Sequence, residues 1–188
     1  VGYTGDGQVT AEACIYNFDM ASFYTKWIDD ISDAQNSVTG FVPHTAPFYG
    51  GGGGPAWGCA YVINTWCMYL YYGDRTILGK HYKGMEKWMN YLDSRTEEDC
   101  IIRAEEPGGW FLGDWCTPEE IKLPPELVST YYYFKCAEIM ASMAKILDFN
   151  EDAARYAELS TRIADAFNKE FLDIRAGRYS IGKQGADV

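Results

Sequence analysis

LVSTYYYFKCAEIMASMAKILDFNEDAARYAELSTRIADAFNKEFL, residues 127–172, holds two long windows of helical apolar spacing around one short break. In the window Leu127 to Leu147, the apolar positions include Tyr131, Phe134, Ile139, Met143 and Ile146, recurring mostly at intervals of three and four. In the window Ala153 to Leu172, Tyr156, Leu159, Ile163 and Phe167 do the same. Asp148-Phe149-Asn150 supplies the turn between them, and Glu151-Asp152 suits the positive N-terminal end of the second helix. The stretch therefore reads as an antiparallel helical hairpin.

Working back along the chain, the pattern repeats. Cys59 to Tyr71 reads as a helix, Tyr72-Gly73-Asp74 as a break, and Arg75 to Leu92 as its partner, with Leu78, Tyr82, Met85, Met89 and Leu92 apolar. Gly73 is the stop and Asp74 the next N-cap. Earlier still, Val9 to Phe18 reads as a short helix opened by Asp6 or Thr4. Asn17-Phe18-Asp19 is its turn, and Met20 to Ala34 carries Phe23, Trp27, Ile28 and Ile31 on one side. Trp27, Trp66 and Trp88 fall inside helical patterns and read as core residues, and His81, also within a helix, reads as structural. Gly177-Arg178-Tyr179-Ser180 reads as a loop, and Gln184 as the opening of another helix.

Three hairpins with short turns are joined by long connections at 35–58, 94–126 and 173–183. The short turns then lie at one end of the stack and the long loops at the other. Long loops in a compact domain are usually functional. The expected class is all-α. Helix pairs stack as a solenoid or close into a toroid; the unequal repeat spacing disfavours fixed-period arrays and favours the toroid.

The net charge of −11 argues against nucleic acid and against an anionic membrane surface as partner. No apolar run reaches the roughly 18 residues of a membrane span, and no signal-peptide pattern is visible. The chain does not start with Met, so its natural N-terminus is expected upstream. The aromatic share of 16% is high, and together with the acidic balance and 19 glycines it suits sugar handling: rings stack on pyranose faces and carboxylates bind hydroxyls. Cys14, Cys59, Cys67, Cys100, Cys116 and Cys136 form neither a C-x-x-C pair nor zinc spacing, and several read as buried free thiols. The compartment stays open, leaning to the periplasm or the cell exterior.

Three loop regions carry candidate chemistry. Gly2-Tyr3-Thr4-Gly5-Asp6-Gly7-Gln8 sets an aromatic and a carboxylate just before a helix; Asp6 also reads as a plain N-cap, and Tyr3 as a packing residue. The connection 36–58 holds His44, five glycines and then Trp57. Trp57 is placed to stack on a sugar, with a core role as the rival, whereas His44 reads as a surface or loop-packing residue. Gly108 to Pro118 concentrates Trp110, Asp114 and Trp115 among glycines, flanked by Glu105-Glu106 and Glu119-Glu120. No phosphate loop, G-x-S-x-G, H-E-x-x-H or calcium loop is present, so neither cofactor nor metal is expected.

Gly2-Tyr3-Thr4-Gly5-Asp6-Gly7-Gln8 resembles the G-W-T-G-D-x-Q segment of bacterial-type α-L-rhamnosidases. Trp57-Gly58, Tyr72-Gly73-Asp74, Gly113-Asp114-Trp115 and Thr130 to Ala144 look like the same family's barrel helices and loops in the same order. The resemblance covers essentially the whole chain. It implies part of an (α/α)6 toroid, with about three and a half of its six hairpins in residues 1–188. It also implies inverting hydrolysis of terminal α-L-rhamnosides, hence a rhamnose-containing carbohydrate or glycoside as partner. By position, Asp6 matches a carboxylate that binds rhamnose hydroxyls. Tyr3 stands where the family commonly has an active-site Trp. Trp57 matches a pocket aromatic, and Asp114 and Trp115 match a lining loop; Trp110 joins them as a candidate from the same loop. The family's general acid precedes the first motif and its general base lies in a later hairpin. Both are therefore expected outside residues 1–188, and the catalytic residues of this segment are unassigned. Half a toroid leaves an apolar edge, so the isolated segment is expected to self-associate, aggregate or need the missing hairpins.

Rival readings are another (α/α)6 glycosidase or phosphorylase, trehalase-like or glucoamylase-like, and a non-catalytic helical scaffold or carbohydrate-binding segment. A terpenoid-cyclase-like toroid is disfavoured, since no D-x-D-D or D-D-x-x-D run exists. A scaffold would leave Asp6, Trp57 and Asp114 scattered; a sugar site requires them on one face.

Overall fold

A computed structural model describes residues 2–47, 54–97, 99–104, 113 and 123–179. The described chain is helical, with two small two-stranded pairings. In order, these elements are β1 (Gly2–Tyr3), α1 (Thr4–Asn17), α2 (Ala21–Ala34), β2 (Thr45–Ala46), the one-turn α3 (Pro55–Gly58), α4 (Ala60–Tyr72), α5 (Arg75–Asp93), α6 (Pro125–Ile146), α7 (Asn150–Phe171), β3 (Leu172–Asp173) and β4 (Arg178–Tyr179).

Three hairpins follow: α1–α2, α4–α5 and α6–α7. Local chemistry sets their turns. Gly73 sits in the left-handed region at φ 69°, where a side chain would be strained. Asp74 caps α5 by accepting from the Thr76 and Ile77 amides. Asp148 takes φ 64° in the third turn, and Glu151 and Asp152 occupy the first turn of α7. The turns gather at one end. The Met20 amide donates to the Tyr72 hydroxyl at 3.0 Å, and Arg75 pairs with Asp148 at 2.8 Å.

The helices form an arc of two layers. α1, α4 and α6 lie side by side on the inner layer, and α2, α5 and α7 pack outside them. α4 touches α1, α2, α5 and α6 and is buried on most sides. The core fills the space between layers: Ile28 and Ile31 from α2, Leu78, Met85, Trp88 and Leu92 from α5, and Tyr133, Met140 and Met143 from α6. His81 reads correctly as structural. It is buried, with Nδ1 3.0 Å from the Tyr61 hydroxyl and Nε2 3.0 Å from Asp29, and burial pulls its pKa down.

Several expectations need correction. α1 starts at Thr4, five residues before Val9, because a neighbouring loop satisfies its first turn: the Thr4 amide donates to the His44 carbonyl at 2.8 Å and its hydroxyl to Pro43 at 3.3 Å. Asp6 is therefore inside the first turn and is not the cap. The helix expected from Cys59 to Tyr71 is α4, Ala60–Tyr72, and the one-turn α3 ahead of it, which the spacing does not announce, ends before Cys59. Phe23 and Tyr131, counted among the apolar positions of their helices, are 57% and 47% exposed, while Tyr24 and Tyr133 take the core positions beside them. Trp66 is only partly buried. Gly177 to Tyr179 belongs to a tight β3–β4 hairpin. Cys14, Cys59, Cys67, Cys100 and Cys136 are free thiols; Cys116 and the expected helix at Gln184 lie outside the described residues.

Candidate functional site

The long connections enter the inner helices at their N-terminal ends, so these ends form the opposite rim from the short turns. Backbone pairing joins the segment ahead of α1 to the first long connection: β1 pairs antiparallel with β2, matching Gly2 with Ala46 and Tyr3 with Thr45. The Trp27 indole donates to the Ala46 carbonyl at 3.1 Å and packs against Gly7, where a side chain would collide with it. The same device recurs at Gly5. A Cβ there would come within 2.8 Å of the Trp57 ring, so the missing side chain lets α1 and α3 approach.

Between these N-termini lies an open cavity of about 460 Å³. Asp6 and Gln8 come from α1, Trp57 from α3, and Val128 and Tyr132 from α6, with Leu123 just ahead of α6. Gly113, from the Gly108–Pro118 loop, is also on its wall. Asp6 is exposed at the rim, Trp57 half-buried, and Gln8 buried. Among the described lining residues Asp6 is the one carboxylate. Asp6 also borders a second cavity of about 530 Å³ between α1 and α2, where Tyr3, Phe23 and Asp30 contribute. Tyr3 is 53% exposed, with its ring 5.6 Å from that of His44. His44 is buried, a loop-packing residue and not a surface one.

Of the residues expected at the site, Asp6 and Trp57 share one cavity, and Tyr3 stands on the far side of Asp6 in the adjoining one. Trp110, Asp114 and Trp115 lie outside the described residues, as do Glu105, Glu106, Glu119 and Glu120. Gln8 and Tyr132 were not singled out by sequence. Gln8 closes the Gly2–Gln8 motif, which is its signal. Tyr132 is the middle of three consecutive tyrosines, where spacing alone does not tell which ring meets the core and which the rim. Burial raises the Tyr132 pKa, while the nearby Gln8 amide works the other way.

Chemically, the arrangement offers an indole face, an accepting carboxylate and a phenol around a space of monosaccharide scale. An aromatic face covers the apolar side of a pyranose, and a carboxylate accepts from its hydroxyls.

Residues 1–188 match the model of the bacterial alpha-L-rhamnosidase 6 hairpin glycosidase domain. An alpha-L-rhamnosidase of Streptomyces avermitilis is 34% identical over 174 residues, which cover 92% of this chain and 16% of that protein. One from Alteromonas sp. is 29% identical over 92% of this chain and 19% of its own length. Among solved structures, the alpha-L-rhamnosidase from Dictyoglumus thermophilum superposes with a TM-score of 0.82 at 37% identity, over 92% of this chain and 19% of that one. The Streptomyces avermitilis enzyme complexed with L-rhamnose gives 0.85 at 33% identity, over 98% of this chain and 17% of that one. The chain thus spans less than a fifth of the length of these relatives.

Proposed function

Because the chain belongs to the bacterial alpha-L-rhamnosidase six-hairpin glycosidase family, we propose that residues 1–188 form part of the catalytic domain of a glycoside hydrolase that removes terminal α-L-rhamnose with inversion. The observation that carries this reading is the shared cavity of Asp6 and Trp57 at the N-terminal rim of the inner helices. A scaffold would give these two residues no reason to meet.

In the proposed mechanism Trp57 covers an apolar face of the rhamnose ring. Asp6 accepts from its hydroxyls, and those hydrogen bonds strengthen as positive charge develops on the ring. Inversion also needs an acid at the leaving oxygen and a base behind the ring, about 6.5–9.5 Å apart. Asp6 cannot fill both roles, so the proton-transferring pair is assigned to groups outside the described residues. Tyr3, Trp110, Asp114 and Trp115 are proposed to complete the sugar-binding wall.

The test is hydrolysis of an aryl α-L-rhamnoside by the full-length product of the gene, followed by NMR. Release of β-L-rhamnose before mutarotation is expected. No rhamnose release, or preferential cleavage of an aryl glucoside, overturns the reading. The 188-residue chain alone leaves Val9, Tyr16 and Phe23 exposed beside α1 and α2. It is proposed to self-associate through this edge; a soluble, inert monomer in light scattering would contradict that.

A further inference from the structure

Three helices meet on one buried imidazole. His81 of α5 is 2% exposed, and its Nδ1 lies 3.0 Å from the hydroxyl of Tyr61, a fully buried residue in the first turn of α4. Its Nε2 is 3.0 Å from Asp29 Oδ1 of α2, but out of hydrogen-bond alignment, and Lys80 already donates to that oxygen at 2.6 Å. Gly84, one turn on from His81, makes room for the junction: a Cβ there would come within 2.3 Å of the Tyr61 hydroxyl oxygen. Gln35, just past α2, donates to the Gly84 carbonyl at 2.9 Å.

This geometry suits an uncharged ring. A neutral imidazole carries one donor and one acceptor, whereas an imidazolium has two N–H donors and needs an acceptor on each. Here Nδ1 faces a hydroxyl, which serves either form. At Nε2 the acceptor is misaligned and shared with an ammonium. A charge on the ring would be desolvated and incompletely bonded. The titratable groups acting on the ring are Asp29 and Asp33 from α2, Lys80 from α5 and Tyr61 from α4. The two carboxylates favour a proton and Lys80 opposes it; burial is the largest influence and opposes it too.

We propose that this junction is an acid-sensitive clasp, holding the first hairpin against the second while the ring is neutral and loosening when the ring takes up a proton. It is independent of the sugar-binding reading. Once α2 separates from α4 and α5, the ring reaches water and binds a proton with an ordinary pKa near 6.5. The open state then holds more protons than the closed one, so opening is favoured progressively as pH falls below about 6.5. A single proton limits the effect to about tenfold per pH unit.

The experiment is amide hydrogen exchange of the full-length protein, read by mass spectrometry at about pH 7.5, 6.5 and 5.5 and corrected for the pH dependence of exchange in unstructured peptides. In peptides from α2 and α5 the opening constant should rise about twofold over the first step and about fivefold over the second. In His81→Gln, whose polar side chain does not titrate, it should stay flat. A flat wild type overturns the inference, and so does a His81→Gln protein that keeps the wild-type rise. Where His81→Gln does not fold, exchange of the His81 ring C2 hydrogen in the wild type decides. A midpoint below about 6.5 supports the clasp, and one at or above that value overturns it.

Discussion

The two ends of the helical arc are held by different kinds of interaction. At the short-turn end the fixing contacts within each turn are local: Asp74 bonds to amides two and three residues away, and Gly73 stops α4. At the rim they span the chain. Thr4 bonds to Pro43 and His44, Trp27 to Ala46, Gly5 packs on Trp57, and Cys59 lies by Tyr132, 73 residues away. Local caps define where helices end. Long-range contacts define how three N-termini meet, and the meeting makes the cavity.

If this division is correct, rim substitutions should cost more than turn substitutions. Trp27→Ala is the most severe. It removes a buried indole that separates α1 from α2 and holds the β2 segment. A loss of about 3–5 kcal/mol is expected for such a truncation, read as a lower urea midpoint. A loss below about 1 kcal/mol would show that the rim is not pinned there. Asp6→Asn comes next. Asp6 is exposed and its carboxylate has no hydrogen bond to a described residue, so stability should change little. The kcat/KM of the full-length protein on an aryl α-L-rhamnoside should fall roughly 100-fold, the scale of one lost charge-stabilising group. Unchanged turnover would remove Asp6 from the sugar site.

The same division explains what could be read from sequence. The hairpins were legible because Gly73, Asp74 and Asp148 act on their immediate neighbours, and because Leu78, Met85, Met89 and Leu92 keep helical spacing. Asp6 and Trp57 were legible as candidates because each follows a glycine-bearing loop at a helix entrance. Their sharing of a cavity was not, since it depends on Gly5 admitting an indole from over fifty residues away. Phe23 misled because the α1–α2 groove has no neighbour among the described residues to bury it, and Tyr131 because three adjacent tyrosines cover most of the helix circumference. The start of α1 at Thr4 was hidden for the same reason as the cavity: its hydrogen-bond partners are some forty residues downstream.

At the turn end, Asp74→Ala should cost about 1 kcal/mol, the usual effect of a lost N-cap, with no change in rhamnoside turnover. The Thr76 hydroxyl, aided by the Thr76 and Ile77 amides, holds the Asp74 carboxyl below its ordinary pKa. The folded state therefore favours the ionised form. This contribution is full above the unfolded value near 3.8 and disappears as pH falls through the lower folded value. The difference in urea midpoint between wild type and Asp74→Ala should accordingly be constant from pH 8 to pH 5 and narrow on further acidification. A gap that widens in acid would mean that the side chain acts otherwise than as an ionised cap.

Arg75→Ala should have the smallest effect and gives the sharpest control. Its guanidinium reaches Asp148 at 2.8 Å and ties the second turn to the third, making it a long-range contact at the turn end. Both side chains are largely exposed, so water and salt screen the pair and its ordering entropy offsets much of the attraction. A loss of about 0.2–1 kcal/mol is expected, shrinking further in 0.5 M salt. If Arg75→Ala instead matched Trp27→Ala, sequence separation alone would govern the cost. The expected small value means that burial does: the rim is costly to disturb because its long-range contacts are desolvated, and the turns tolerate change because the Arg75–Asp148 pair that links them remains in water.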